Sequence, residues 1–97
     1  MNELNIRHFK LMNELIQNYT EGKIKFSKLV SRLDELITNL DNPPQEWIEG
    51  AKSLWFDLEE INAVLLDEKN KDRTVETFKT DIAEIIKKLS LLIAEFP

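Results

Sequence analysis

Apolar side chains recur along most of this chain at steps of three and four residues, the spacing that places them on one face of an α-helix. The 97 residues include only two Gly and three Pro, far fewer than the many tight turns of a β-sandwich or a β-barrel require. Few turns mean few and long elements. The pattern therefore predicts an all-α protein.

Three breaks divide the apolar pattern into four predicted helices, which cover residues 2–19, 25–40, 44–67 and 74–96. Thr20-Glu21-Gly22 ends the first helix, because Gly tolerates the left-handed conformation that closes a helix. Pro43-Pro44 separates the second from the third, since Pro lacks a backbone donor and disfavours helical geometry in the residue before it. The polar stretch 67–73 predicts a surface connection, after which Asp72 or Thr74 caps the fourth helix.

The four amphipathic helices and their short polar connections favour an antiparallel four-helix bundle that forms one domain over residues 1–97. In the fourth helix the apolar steps alternate between three and four from Val75 to Phe96. Such heptad-like spacing also occurs in dimeric coiled coils. Because three further amphipathic helices need partners for their apolar faces, we interpret this stripe as bundle core and expect a monomer.

Composition and charge restrict the classes of function that are open to the chain. The absence of cysteine excludes disulfides, thiolate metal sites and a cysteine nucleophile. Neither the apolar run of a secretory signal nor the ~18 apolar residues of a membrane span are found, so we expect a cytoplasmic protein without a membrane partner. The net charge of −5 argues against nucleic-acid binding, which depends on Lys and Arg to neutralise phosphates.

Residue patterns that support catalysis or metal binding are missing from the sequence. His8 is the only histidine, so the paired Glu-x-x-His motifs of a di-iron bundle cannot form. The stretch 67–72 lacks the alternating ligands, the Gly and the terminal Glu of a calcium loop. Glu59 and Glu60 point about 100° apart on a helix and do not converge on one substrate atom. We therefore predict a binding protein that is not an enzyme and takes no cofactor.

The negative charge of the chain is concentrated in one segment. Residues 41–68 hold eight acidic residues and one basic residue, Lys52, for a net charge of −7, whereas all other residues together carry +2. Like charges three and four residues apart on a helix repel each other by a few tenths of a kcal/mol per pair. Stability alone would not select this arrangement.

A candidate partner-binding surface follows from placing these residues on the third helix and the loop after it. Phe56 falls on the outer side of the helix among carboxylates, which is the environment of an interface anchor. The alternative is a solvated acidic surface that keeps the protein soluble, with Phe56 tucked against a neighbouring helix. The predicted partner-binding residues are Glu49, Phe56, Asp57, Glu59, Glu60, Asp67 and Glu68.

The stretch from Leu15 to Ser27, LIQNYTEGKIKFS, followed by Leu29, resembles the opening of the colicin D immunity protein family of bacterial toxin-neutralising proteins. In that family a first helix ends in a short Lys-Ile-type turn and the second helix starts with Phe. The segment from Trp55 to Glu60, the polar loop and a closing helix rich in Ile and Leu fit the same outline. The resemblance implies a four-helix bundle that inhibits a nuclease toxin directed at transfer RNA.

What the resemblance implies is consistent with the charge distribution. A nuclease active site is basic because it holds phosphates, so an acidic helical face can occupy it as a substrate mimic. We therefore expect an immunity protein that binds a basic toxin domain, an RNase, in a 1:1 complex. The rival hypothesis is a helical adaptor or regulatory subunit that binds a partner helix in an apolar groove. Added salt weakens an acidic interface but not an apolar one.

We predict that the purified chain is predominantly helical without added metal and unfolds in one cooperative transition. Far-ultraviolet circular dichroism, recorded with and without a chelator during thermal unfolding, measures both properties. A spectrum dominated by strand, or a loss of structure on adding the chelator, would contradict the prediction.

Overall fold

The computed structural model describes residues 2–96, and these form four α-helices and no strand, which confirms the prediction of an all-α protein. Two short 3₁₀ helices, Glu68–Asn70 and Val75–Phe78, lie between the last two α-helices. No helix in this part of the chain has the length and apolar character needed to cross a membrane. The α-helices are α1 (Glu3–Thr20), α2 (Phe26–Thr38), α3 (Gln45–Leu66) and α4 (Lys79–Ala94).

The first helix ends in the glycine turn that the sequence indicates. Gly22 has a φ of +76°, and its N–H donates to the Tyr19 carbonyl at 2.9 Å, while the Lys23 N–H donates to the Asn18 carbonyl at 2.8 Å. This pair of bonds is a Schellman motif, which satisfies two carbonyls that the end of the helix leaves free. Because a left-handed residue stands at its centre, Gly is the natural occupant.

Other helix ends differ by a few residues from the positions that periodicity predicts. The second helix stops at Thr38, two residues early, where the Asn39 side chain donates to the Glu35 carbonyl at 2.7 Å. Before α4, the chain first forms the 3₁₀ helix Val75–Phe78, whose N-cap is Thr74, and the Thr74 N–H donates to Thr77 Oγ1 at 3.1 Å. Neither Asp72 nor Thr74 caps α4 itself, because α4 begins at Lys79 with Phe78 in the N-cap position. These helix ends are set by side chains that bond to nearby backbone groups. The spacing of apolar residues therefore does not predict their positions.

A single cluster of buried side chains draws on all four α-helices. Aromatic rings fill one part of it, where Phe9 lies 4.5 Å from Phe96 and Trp47 lies 4.9 Å from Phe96, measured between ring centroids. The apolar stripes read from the sequence supply most of the cluster. Its most deeply buried large side chains are Met12, Leu29, Val30, Leu33, Leu58 and Leu89.

Polar side chains connect the helices at defined points. The buried Asn5 amide donates to the Asp41 carbonyl at 3.0 Å and accepts from the Asp41 N–H at 2.8 Å, so the start of α1 is bound to the connection after α2. His8 Nδ1 lies 3.2 Å from the Leu36 carbonyl oxygen, and because a carbonyl only accepts, this nitrogen carries the proton in the bond. His8 thus has a structural bond to α2.

The two indoles of α3 each bond to a neighbouring helix. Trp47 Nε1 donates to the Leu92 carbonyl on α4 at 2.8 Å, and Trp55 Nε1 donates to the Val30 carbonyl on α2 at 2.8 Å. A bonded indole has one preferred orientation, since its N–H is costly to bury without a partner. These two bonds fix the rotation of α3 about its own axis and so determine which of its residues face outward.

We predict that Asn5→Ala lowers the free energy of unfolding by about 1 to 3 kcal/mol, because it removes two hydrogen bonds to the Asp41 backbone. Urea denaturation followed by circular dichroism measures the change. Asn13→Ala is the matched control, since Asn13 is exposed on the same helix and its replacement should stay within about 0.5 kcal/mol. Equal effects of the two substitutions would show that the Asn5 bonds do not stabilise the structure.

Candidate partner-binding surface

The structure places most of the predicted partner-binding residues on the outer side of α3. Glu49, Phe56, Asp57 and Glu60 are exposed, whereas Glu59 is only half-buried. On the helix surface Glu59 is the neighbour of Trp55, four residues before it, and of the buried Asn62, three residues after it, so it stands closer to the packed side of the helix than Asp57 does. Asp67 and Glu68 are exposed just beyond the end of α3. We call the exposed residues Glu49, Phe56, Asp57, Glu60, Asp67 and Glu68 the acidic surface.

Phe56 is the large aromatic side chain of this surface. It is 55% exposed, so more than half of the ring is open to solvent and Phe56 is not a core residue. The ring forms part of an open groove of about 560 Å³ between α2 and α3, which we call the aromatic groove. The groove is lined by Asp34, Ile37 and Thr38 from α2 and by Glu49, Lys52, Ser53, Trp55 and Phe56 from α3.

A second groove, of about 380 Å³, runs along the other side of α3 and separates it from α4. We call it the acidic groove, because carboxylates line both of its sides. Asp57 and Glu60 stand on the α3 side, and Asp81 and Glu84 stand on the α4 side. Its remaining lining residues are Ile61, Val64, Phe78, Ile85 and Lys88. The predicted acidic surface is therefore extended by two carboxylates from a different helix.

Asp81 and Glu84 were not among the predicted partner-binding residues, because the segment that contains them has a nearly balanced charge. Six basic and five acidic residues are mixed over 69–97. One signal was present, since Asp81 and Glu84 repeat the three-residue spacing of Asp57 and Glu60 and flank the apolar stripe of their helix. Only the packing of α4 against α3 shows that the two pairs share a groove.

The carboxylates of the acidic groove have no ion-pair partner among the described residues. The salt bridges of residues 2–96 join Lys23 to Glu21, Arg32 to Glu35 and Lys79 to Glu76, all on other surfaces. Lys88 is the one cationic residue that lines the groove. Each wall carries two like charges three residues apart, a spacing that destabilises an isolated helix by a few tenths of a kcal/mol. The free protein therefore keeps an excess of negative charge in this groove, with four carboxylates against one cation.

The carboxylates do not converge as metal ligands would. Within residues 2–96, no group of three or more His, Asp or Glu side chains is placed to hold a metal ion. Charges spread along a groove with an apolar floor are suited to a larger partner, because each charge can meet a separate basic group. The arrangement can thus attract and hold a basic protein surface.

A further apolar groove, of about 470 Å³, lies away from the acidic surface, between the end of α1 and the start of α4. Tyr19 lines it together with Lys79 and Lys87. Burial, and secondarily the nearby Glu76 carboxylate, raises the pKa of the Tyr19 phenol above its ordinary value. The phenol is therefore neutral at physiological pH and adds no charge to this groove.

We predict that Phe56→Ala changes the free energy of unfolding by about 1 kcal/mol or less, because more than half of the ring is already in water. Leu58→Ala, two residues away on the same helix, should cost about 2 to 5 kcal/mol, since Leu58 is fully buried. Chemical denaturation of both variants measures the difference. A loss for Phe56→Ala as large as that for Leu58→Ala would show that Phe56 is a core residue and not part of an exposed surface.

Comparisons of the chain with protein-family models, with curated proteins and with solved structures gave no match. Only the chain's own side chains therefore indicate a function. Three features are informative about function: the concentrated charge of α3, the exposed ring of Phe56 and the acidic groove.

Proposed function

We propose that this protein is an immunity protein that binds a basic toxin domain and blocks its active site with the acidic surface of α3. The observation that carries the proposal is the set of exposed carboxylates without ion-pair partners beside the exposed Phe56 ring. Such a surface costs stability in the free protein, and a basic partner removes that cost. In this proposal the protein is not an enzyme and needs no cofactor.

The resemblance of residues 15–29 to the colicin D immunity family narrows the proposed partner to an RNase that acts on transfer RNA. Two features of the structure support that resemblance, since α1 closes at the Gly22 turn and α2 begins at Phe26. A nuclease site needs basic groups to hold phosphates. Carboxylates along α3 would occupy those groups in place of the RNA backbone.

The proposal includes an antiparallel arrangement of the four helices in one domain. Three hydrogen bonds support it, because each joins the start of one helix to the end of the next. Two of them join Asn5 at the start of α1 to Asp41 after the end of α2. The third joins Trp47 near the start of α3 to Leu92 near the end of α4. In such a bundle α3 packs between α2 and α4 and leaves one side free. The protein would act in the cytoplasm as a monomer in a 1:1 complex.

Electrostatic attraction would also govern how fast the toxin is captured. Complementary potentials raise association rate constants to roughly 10⁸–10⁹ M⁻¹s⁻¹ at low ionic strength, compared with 10⁵–10⁶ M⁻¹s⁻¹ without steering. An inhibitor that protects a cell from a catalytic toxin benefits directly, because each free toxin molecule destroys many substrates. The charge of −7 over residues 41–68 supplies the steering field.

The aromatic groove supports a second candidate function, a helical adaptor or regulatory subunit. Ile37, Trp55 and Phe56 give this groove an apolar lining, and apolar grooves between helices accept the apolar face of a partner helix. We favour the immunity function, because binding a helix in the aromatic groove would not involve the unpaired carboxylates on the opposite side of α3.

We predict that Asp57→Lys combined with Glu60→Lys abolishes protection of cells that express the cognate toxin, which we expect to be encoded beside this protein's gene. Reversed charges would face basic groups of the toxin, and such juxtaposition costs several kcal/mol. Folding should persist, since both residues are exposed and surface substitutions usually change stability by about 0.5 kcal/mol or less. Growth assays measure protection, and circular dichroism measures folding.

The matched control is Glu14→Lys combined with Glu95→Lys, which changes the net charge by the same amount at exposed positions outside the acidic surface. This variant should protect as well as the unaltered protein does. Full protection by the Asp57 and Glu60 double variant would contradict the proposed interface. An equal loss of protection in the control would show that the change in net charge, and not the position of the charges, causes the effect.

A further inference from the structure

We infer that the acidic groove between α3 and α4 receives a basic amphipathic helix of the partner, whose apolar side chains lie on the floor and whose Lys or Arg side chains meet the carboxylates on both rims. The inference rests on the proposed function and adds α4 to the interface. It names Asp81 and Glu84 as partner-binding residues in addition to those of α3.

The floor of the groove requires apolar groups from the partner. Ile61 and Val64 from α3, with Phe78 and Ile85 from the opposite side, line the groove and are each half-buried. The part of each side chain that the core leaves uncovered faces the groove. Because apolar surface gains free energy when it leaves water, a partner that brings apolar side chains binds better than a simple polycation.

The two rims require basic groups on both sides of that apolar stripe. Asp57 and Glu60 on one rim, and Asp81 and Glu84 on the other, are each three residues apart, or about 4.5 Å along the helix axis. A helix with one apolar stripe flanked by basic residues at steps of three and four matches both rims at once. An extended strand does not, because alternate side chains would point away into solvent.

The length of the groove limits the length of the occupant. The lining residues span positions 57–64 on α3 and 78–88 toward and along α4, which corresponds to about 10 to 15 Å. Two to three helical turns fill this distance. Lys88 is the one cation among the lining residues, so the groove keeps an excess of negative charge. A nucleic acid would be repelled by it.

The test uses a designed helical peptide of about 15 residues, with Leu at positions i, i+3, i+4 and i+7 and Lys elsewhere. Nuclear magnetic resonance of the isotope-labelled full chain locates the binding site. We expect saturable shifts of the Ile61, Val64 and Ile85 methyl groups. A peptide with Glu in place of each Lys should not bind. Shifts centred instead on Ile37 and Trp55 in the aromatic groove, or binding of both peptides alike, would overturn the inference.

Substitutions on α4 test the two added carboxylates. Asp81→Asn combined with Glu84→Gln should weaken binding of the Lys peptide by about tenfold or more, since each lost charge leaves a basic group without its partner. Glu14→Gln combined with Glu95→Gln, outside the groove, should stay within about twofold of the unaltered protein. Because Asp81 lies in the first turn of α4, where an acid also stabilises the helix, Glu84→Gln alone serves as a second variant. Unchanged affinity in both α4 variants would contradict the role of α4.

The same α4 variants, tested against the cognate toxin, separate this inference from the proposed function. If Asp81→Asn with Glu84→Gln leaves protection intact while Asp57→Lys with Glu60→Lys removes it, the inference fails and the immunity function stands. If neither pair affects protection, the proposed interface fails as well. Loss of protection in both pairs, with the helical spectrum unchanged, is the result we expect.

Discussion

The orientation of α3 about its own axis is the constraint on which the rest of the surface depends. Trp55 bonds to a carbonyl of α2 and Trp47 bonds to a carbonyl of α4, each at 2.8 Å, so the helix is held from two neighbours at once. With its apolar side packed, the acidic side has no alternative but to face solvent. A rotation of one residue, about 100°, would move Asp57 toward the core at the position of Leu58, where an unpaired charge is very costly.

This orientation also creates the two grooves and gives them different chemistry. On the α2 side, the aromatic groove combines Trp55 and Phe56 with Lys52, whereas on the α4 side the floor is aliphatic and the rims are acidic. The carboxylates of Asp81 and Glu84 line this space and form no salt bridge within residues 2–96, and Lys88 is the one cation beside them. Natural proteins commonly retain locally unfavourable features where they bind or react, which is the physical reason for proposing the acidic groove as a binding surface.

The sequence predicted the helices because apolar spacing and turn residues act over short distances. Gly22 and Pro43 interrupt the pattern where the chain turns, and helical geometry correctly placed Phe56 on the outside. Periodicity could not predict that Asn5 is buried, because a polar residue does not belong to an apolar stripe. Asn5 is buried because it forms hydrogen bonds with the Asp41 backbone, 36 residues further along the chain. Nor could it pair Glu84 with α3, because that proximity arises only from tertiary packing. The family resemblance and the partner stay predictions.

If exposed carboxylates on α3 bind a basic toxin, as we propose, the affinity of the complex falls as salt screens these charges. The dissociation constant of the purified protein with its cognate toxin domain would be measured by calorimetry from about 50 to 500 mM salt, a range over which screening of exposed charges becomes strong. We predict at least about a tenfold loss of affinity across this range. An affinity that is constant with salt would contradict binding through the α3 carboxylates and indicate an apolar interface, such as the aromatic groove.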